Sequence, residues 1–164
     1  MIIRRLNASD AKAYQEIRLK ALKNHPEAYG SSFEEESAFS IEVFEQRLSN
    51  PENLTWGAFF DEHLSGVVTL MTSTRKKTMH NASIVAMYVD DIYRHQGVGS
   101  FLLKQAITQA KSKSILNLYL TVTTTNQAAK KLYTSHGFIT YGIEKKGLKI
   151  DQQYFDSELM VLYL

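Results

Sequence analysis

Hydrophobic alternation and helical periodicity divide the chain into a readable series of elements. "MIIRRL" opens it as a short strand. Ala13, Tyr14, Ile17 and Ala21 then recur at the spacing of one helix face, with Ser9 or Asp10 placed to cap that helix. "HPEAYGSSFEEESAFS" breaks the period and reads as irregular. A second helix is expected from about Ser40 to Leu48. "LTWGAFF" and "LSGVVTLMTS" read as strands, with Asp61, Glu62 and His63 at the turn between them. "TRKKTMH" is a basic turn leading into a further strand, "ASIVAMYVDD".

From about Val98 to Ser112 the period becomes helical, with Phe101, Leu102, Ala106 and Ala110 on the apolar face. "ILNLYLTVT" is β-branched and apolar, hence a strand. "NQAAKKLYTSHGF" carries Asn126 as an N-cap and Ala129, Leu132, Tyr133 and His136 on one face. Gly137 is placed as its left-handed C-terminal residue, with Phe138 packing back. "FITYGIEKK" and "QYFDSELMVLYL" close the series as strands. The order β-α-α-β-β-β-α-β-α-β-β predicts an α/β (α+β) fold. Its central sheet is mixed, mostly antiparallel, of about seven strands flanked by helices.

Length and composition narrow the classes. The 164 residues make one domain's worth, 1–164, with no repeat and nothing like a linker. The formal charge of +2, with both signs interspersed, disfavours a nucleic-acid partner. Cysteine is absent, which excludes disulfides, thiolate metal sites and a cysteine nucleophile. His25, His63, His80, His95 and His136 lack metal-ligand spacing, so no metal is expected. "MIIRRLNASD" turns polar too soon for a signal peptide, and no run approaches a membrane span. A cytoplasmic protein without a membrane partner is expected.

"YRHQGVGSFLLKQA" is the one stretch that asks for a ligand. A helix N-terminus presents unpaired N–H groups and a partial positive charge. Gly97 and Gly99 let such groups close around an anion, with Arg94 and Gln96 able to add donors. A P-loop needs Lys and then Ser or Thr after the second glycine; Ser100 and Phe101 stand here instead. A dinucleotide fingerprint needs a third small residue and a later acid. Leu102 and the run Thr121 to Thr125 supply neither. Taken alone, the turn fits a ligand-free strand-to-helix connection equally well.

The motif Arg94-His-Gln-Gly97-Val-Gly99 after "IVAMYV" resembles the acyl-CoA-binding signature of the GNAT superfamily of N-acetyltransferases (Arg/Gln-x-x-Gly-x-Gly/Ala). "TVTTTNQAAKKLYTSHGF" resembles that superfamily's next strand and helix, in the expected order and separation. The specific part runs from about Ala82 to Phe138. One departure is Asp91 where the family often has Pro. The resemblance implies a GNAT-like acyl-CoA N-acyltransferase fold and acetyl transfer from acetyl-CoA to a primary amine, in a small molecule or a protein. An acyl-CoA-binding sensor or interaction module without turnover is the alternative.

The resemblance also implies a site. Two parallel strands, "IVAMYVDD" and "LNLYLTVT", would splay and leave backbone of Met87, Tyr88 and Val89 unpaired for the pantetheine arm. The Val89 N–H would face the thioester carbonyl. Backbone of Arg94, His95, Gln96, Gly97, Val98, Gly99 and Ser100 would hold the pyrophosphate. Asn126 would touch the cofactor, cap the helix, or do both. Tyr133 would protonate the leaving thiolate, a role the motif implies although spacing alone favours a core residue.

The base is open among Glu34, Glu35, Glu36, Asp90, Asp91, Glu158 and a water relay. The acceptor pocket would draw on "NHPEAYGSSFEEESAF" and "KGLKIDQQYFDSEL", with Tyr29, Phe33 and Glu34 as substrate residues. Aromatics beside glutamates suit a cationic amine such as a polyamine. Amino acids, aminoglycosides and protein N-termini stay open. The "TRKK" run reads as a solvated hairpin tip, with a lesser reading in which Arg75, Lys76 or Lys77 meets the 3′-phosphate of CoA. "ELMVLYL" at a sheet edge would pair with a second copy to give a homodimer.

Overall fold

The computed structural model describes residues 1–164. Its strands are β1 (Ile2–Arg5), β2 (Asn53–Phe60), β3 (His63–Met71), β4 (Asn81–Val89), β5 (Asn117–Thr123), β6 (Ile139–Ile150) and β7 (Gln153–Tyr163). Its α-helices are α1 (Ala11–Asn24), α2 (Phe33–Ser37), α3 (Ile41–Ser49), α4 (Val98–Ser112) and α5 (Gln127–Ser135). All seven strands form one sheet in the order β1-β2-β3-β4-β5-β7-β6. Only β4 and β5 run parallel, joined through α4; every other pair is antiparallel. No helix is long and apolar enough to cross a membrane.

Asp61 and Glu62 both take positive φ, so a two-residue turn joins β2 to β3 and sets Phe60 opposite His63. His63 therefore opens β3 instead of sitting in the turn. Each face of the sheet carries its own core. Leu102, Leu103, Ala106 and Ala110 of α4 pack on Leu54, Trp56, Val68, Leu70 and Leu118. Tyr14, Ile17 and Ala21 of α1, with Phe44 and Leu48 of α3, pack on Leu64, Val67 and Tyr88. Burying such side chains stabilises by about 1.5–3 kcal/mol each.

The sequence reading needs correction at several points. Asn7, not Ser9 or Asp10, caps the first helical turn: its side chain accepts from the Ser9 N–H while Asp10 reaches back to the Asn7 N–H. Asp10 is held there by Arg4 at 2.7 Å. Phe101 is 51% exposed; Leu103 takes its place on the buried face of α4. Part of the segment read as irregular is α2, nucleated by a reciprocal cap between Ser32 and Glu35. Strand β7 lies between β5 and β6, so its backbone is paired on both sides and offers no edge to a second copy.

What positions the site is a parting of two strands. β4 and β5 pair only at Asn81–Ser83 with Asn117–Tyr119. Beyond that point Ala86 takes φ +52, and the β3–β4 register shifts between Val67 and Thr69. A bulge of this kind bends a strand and increases its twist. The remainder of β4 stays with β3 and leaves β5.

Candidate active site

The bulge sets the chemistry of the gap. Asp90 N–H donates to Ser65 O at 2.9 Å, and Val67 stands opposite Tyr88. Antiparallel alternation therefore turns the backbone of Tyr88 toward β3 and that of Met87 and Val89 toward the gap. Of the three residues expected to be free, Tyr88 is paired within the sheet. The two carbonyls facing the gap are occupied by the chain itself. Tyr29 Oη donates to Met87 O at 3.0 Å, and Arg94 Nε donates to Val89 O at 3.0 Å. No side chain accepts from the two N–H groups. The gap offers donors, and it suits a ligand that brings carbonyl acceptors.

The glycine turn follows at the end of β4. Gly97 takes φ +78 as the residue before α4, a conformation that L side chains adopt at a cost. A Cβ on Gly99 would meet Leu132 of α5 at 3.3 Å and Met87 at 3.4 Å. The glycine thus lets the helix start lie against both neighbours. Phe101 N–H makes the first helical bond, to Gly97 O, leaving the N–H groups of Val98, Gly99 and Ser100 without helical acceptors. The Arg94 and Gln96 side chains do not add to this cradle. Arg94 is committed to Val89 O, Asp91 and His25, and Gln96 to Ile92 O. His95 is exposed beside them with φ +61.

Asn126 caps α5, accepting from the Ala129 N–H at 3.1 Å. Further along, Tyr133 is 7% exposed and lines the same cavity as Met87. Its ring packs edge-on against Phe138 at 5.8 Å. Burial pushes its hydroxyl up to about 12, so the proton stays on the oxygen through the neutral range. His136 is structural: it bridges Ser100 Oγ at 3.0 Å and Leu132 O at 2.9 Å.

A cavity of about 740 Å³ opens from the gap over the face of the sheet that α1 and α3 cover. Tyr29 is in its wall; Phe33 and Glu34 are not. The capping geometry of α2 turns Phe33 toward Lys23 and leaves Glu34 exposed. Within the wall lies an ionic cluster that sequence reasoning missed. Glu36, 1% exposed, accepts from Arg18 Nη2 at 2.8 Å and Nε at 3.2 Å, and from Arg47 Nη1 at 2.8 Å. Burial opposes the charge on Glu36, but both guanidinium groups prevail and hold its carboxyl below the usual range. Burial likewise opposes the charge on Arg18, and Glu36 overcomes it.

The other candidate bases lie elsewhere or are engaged. Glu35 caps α2, Asp90 is bound by Lys20, Asp91 by Arg94, and Glu158 by Lys130 at 2.7 Å. Glu144, which the sequence reading passed over, is the one carboxylate lining the cavity that makes no ion pair. It stands opposite Ser157, which stands opposite Thr123 at the open end of the gap. The lysine-rich tip between β3 and β4 is at the far end of β4 from the glycine turn, on the order of 25 Å away for a strand of that length. Arg75, Lys76 and Lys77 therefore cannot share a phosphate ligand with it.

A parted parallel strand pair, a glycine-lined helix start beside it and a buried tyrosine match the arrangement that the resemblance to an acyltransferase fold implies. A family model described as the Acetyltransferase (GNAT) family matches residues 16–138, and the chain belongs to that family. It is similar to N-alpha-acetyltransferase 30 of Xenopus laevis, 29% identical over 62% of this chain and 37% of the relative. It is also similar to the putative phosphinothricin acetyltransferase YwnH of Bacillus subtilis, 30% identical over 46% of this chain and 47% of the relative. The match thus spans less than half the length of either. Among solved structures, an acetyltransferase of the GNAT family from Streptococcus pneumoniae is 27% identical, with 99% of each chain covered and a TM-score of 0.88.

Proposed function

We propose that the chain transfers an acetyl group from acetyl-CoA to a primary amine by direct attack within a ternary complex. The carrying observation is the pair of inward N–H groups on Met87 and Val89, in a gap whose cavity also holds the Tyr133 hydroxyl. The likeness to proteins named N-alpha-acetyltransferase 30 and putative phosphinothricin acetyltransferase supports the reading. Acetyl-CoA supplies the activated acetyl thioester; the remaining chemistry belongs to the chain.

The N–H groups of Val98, Gly99 and Ser100 hold the pyrophosphate at the positive end of α4. Met87 and Val89 donate to ligand carbonyls, and the donor nearer the thioester stabilises charge developing on its oxygen. An alkylamine arrives protonated near neutrality, so a base must take a proton before attack. Glu144 is placed for that role. As the new N–C bond forms and the C–S bond breaks, Tyr133 donates its O–H to the departing sulfur, and the second proton shed by the acylated nitrogen restores the tyrosine. The chain contains no cysteine, so no acyl-cysteine intermediate takes part.

Calorimetric titration with acetyl-CoA and CoA, followed by thiol release against a panel of amines, tests this reading. Binding with release for at least one amine class is expected. Binding without release on any amine would return the chain to the non-catalytic sensor. No binding would remove the functional content of the gap.

A further inference from the structure

The peptide unit that follows Val89 is held at both ends. Asp90 N–H donates to Ser65 O at 2.9 Å, and Arg94 Nε donates to Val89 O at 3.0 Å. One bond ties the unit to β3 and the other holds it from the side of the gap. Together they fix the residue whose own N–H faces the gap. The bond from Arg94 has a second effect. A bare Val89 carbonyl would set an acceptor beside the donors that await ligand carbonyls. It would also repel negative charge developing on a thioester oxygen. The guanidinium covers that acceptor and brings positive charge with it.

Arg94 is aimed by its other contacts. Its Nη2 donates to Asp91 Oδ1 at 2.8 Å and to His25 Nε2 at 2.9 Å, one hydrogen for each. Two donors at that separation would repel, so Nε2 is the acceptor and the ring proton sits on Nδ1. Asp91 belongs to the same turn as Arg94, and its side chain is 52% exposed. His25 comes from another part of the chain and is 29% exposed. Pro26 bars it from the helical conformation, so α1 stops at Asn24 and the His25 N–H closes on Ala21 O at 2.9 Å. Its ring rests 6.1 Å from that of Tyr88. His25 is thus the hydrogen-bond partner that ties the guanidinium to something outside β4 and its turn. Building on the acetyl-transfer reading, we infer that His25 is a positioning residue: acting through Arg94, it holds Val89 in place for the thioester carbonyl.

Thiol-release kinetics on single and double variants test this, with kcat expressed per CoA-binding site counted by calorimetry, so that unfolded protein does not register as lost turnover. Arg94→Met removes the cap on Val89 O and should lower kcat ~10-fold. CoA affinity should hold, because the N–H groups at the start of α4 are untouched. His25→Leu removes the acceptor that aims Arg94 and should lower kcat ~5-fold. His25→Gln keeps an acceptor on its amide oxygen and should recover most of that loss. In the Arg94→Met background, His25→Leu should cost nothing further, since its effect runs through the guanidinium. Full kcat in His25→Leu would overturn the inference and leave acetyl transfer standing. So would equal losses in the Leu and Gln variants, additive losses in the double variant, or a loss that falls on CoA affinity instead of kcat. Thiol release from no amine in the wild-type protein would overturn both readings.

Discussion

Tyr29 donates its hydroxyl to the carbonyl of Met87 at 3.0 Å, on the stretch of β4 that has already left β5. The same loop is fastened to the other wall, because Thr123 of β5 donates its hydroxyl to the Glu27 carbonyl. The segment between α1 and α2 is thus stapled across the mouth of the gap. The loop that shapes the acceptor cavity and the strand that would carry the reaction are one mechanical unit.

Tyr29→Phe removes one staple and leaves the Met87 carbonyl without its partner. The expected loss is about 1 kcal/mol of stability, read as a lowered denaturation midpoint. Amine kcat/KM should fall several-fold while CoA affinity holds, since the glycine turn does not touch this residue. Unchanged kinetics with the lower midpoint would make the bond purely structural.

Tyr133→Phe should keep the fold and CoA affinity and lower kcat by ~10²-fold or more. The pH dependence of stability carries a second signature. Burial raises the hydroxyl to about 12, above its unfolded value of about 10. Its contribution is therefore complete below pH of about 10 and is lost as pH rises through the folded value. Alkaline unfolding curves of wild type and Tyr133→Phe should diverge only in that window; divergence near neutrality would contradict the assignment.

Glu36→Gln leaves the buried Arg18 guanidinium and the partly exposed Arg47 guanidinium facing no anion. Breaking a buried ion pair in this way costs about 3–5 kcal/mol. Because the Glu36 carboxyl is held below its ordinary value, its contribution is present above about pH 4.3 and disappears as pH falls through the depressed value. The variant should be less stable at neutrality and flatter toward acid. Denaturant titrations at several pH values decide this. Parallel curves would mean that the cluster is not the acid-sensitive element.

Much of this architecture is written locally, and the remainder is not. Strand and helix order follow from period and β-branching, and α4 ends where the helical spacing does, at Ser112. Asn126 and Gly137 are legible because caps are local chemistry: one accepts from Ala129, the other takes φ +90. Arg18 and Arg47 were invisible because an arginine on a helix reads as solvent-facing. Only the fold brings Glu36, 18 residues from Arg18, under both. Glu144 is similar: a charged residue on an alternating strand reads as surface until a register shift turns it over the cavity. The Phe101 misreading has the same root, since Phe101 and Leu103 flank the buried Leu102 and only packing against the sheet decides that Leu103 joins it.

The two glycines should separate in experiment. Gly97→Ala forces an L side chain to φ +78 and should cost about 1–2 kcal/mol in stability with only modest loss of CoA affinity. Gly99→Asp puts a carboxylate against Leu132 and Met87 and beside the helix N–H groups, where it competes with an anionic ligand. Calorimetry should find CoA binding abolished in Gly99→Asp. Retained affinity there would show that the phosphates lie elsewhere.

Glu144→Gln addresses the proton that the amine must lose. The side chain is exposed in the cavity and free of ion pairs, while the charges that follow it are engaged. Lys145 pairs with Asp156 at 2.8 Å, the Lys146 N–H donates to the same carboxylate, and the Lys146 ammonium lies over Tyr154. With the carboxylate gone, the protein depends on the small fraction of amine already neutral. The kcat at neutral pH should fall by ~10²-fold. The residual rate should climb about tenfold per pH unit until the amine itself is deprotonated, near pH of about 10 for an alkylamine. Wild type should level off far earlier, because Glu144 accepts the proton inside the complex. Superimposable pH profiles for the two proteins would move the proton to a water relay and leave Glu144 as one wall of the cavity.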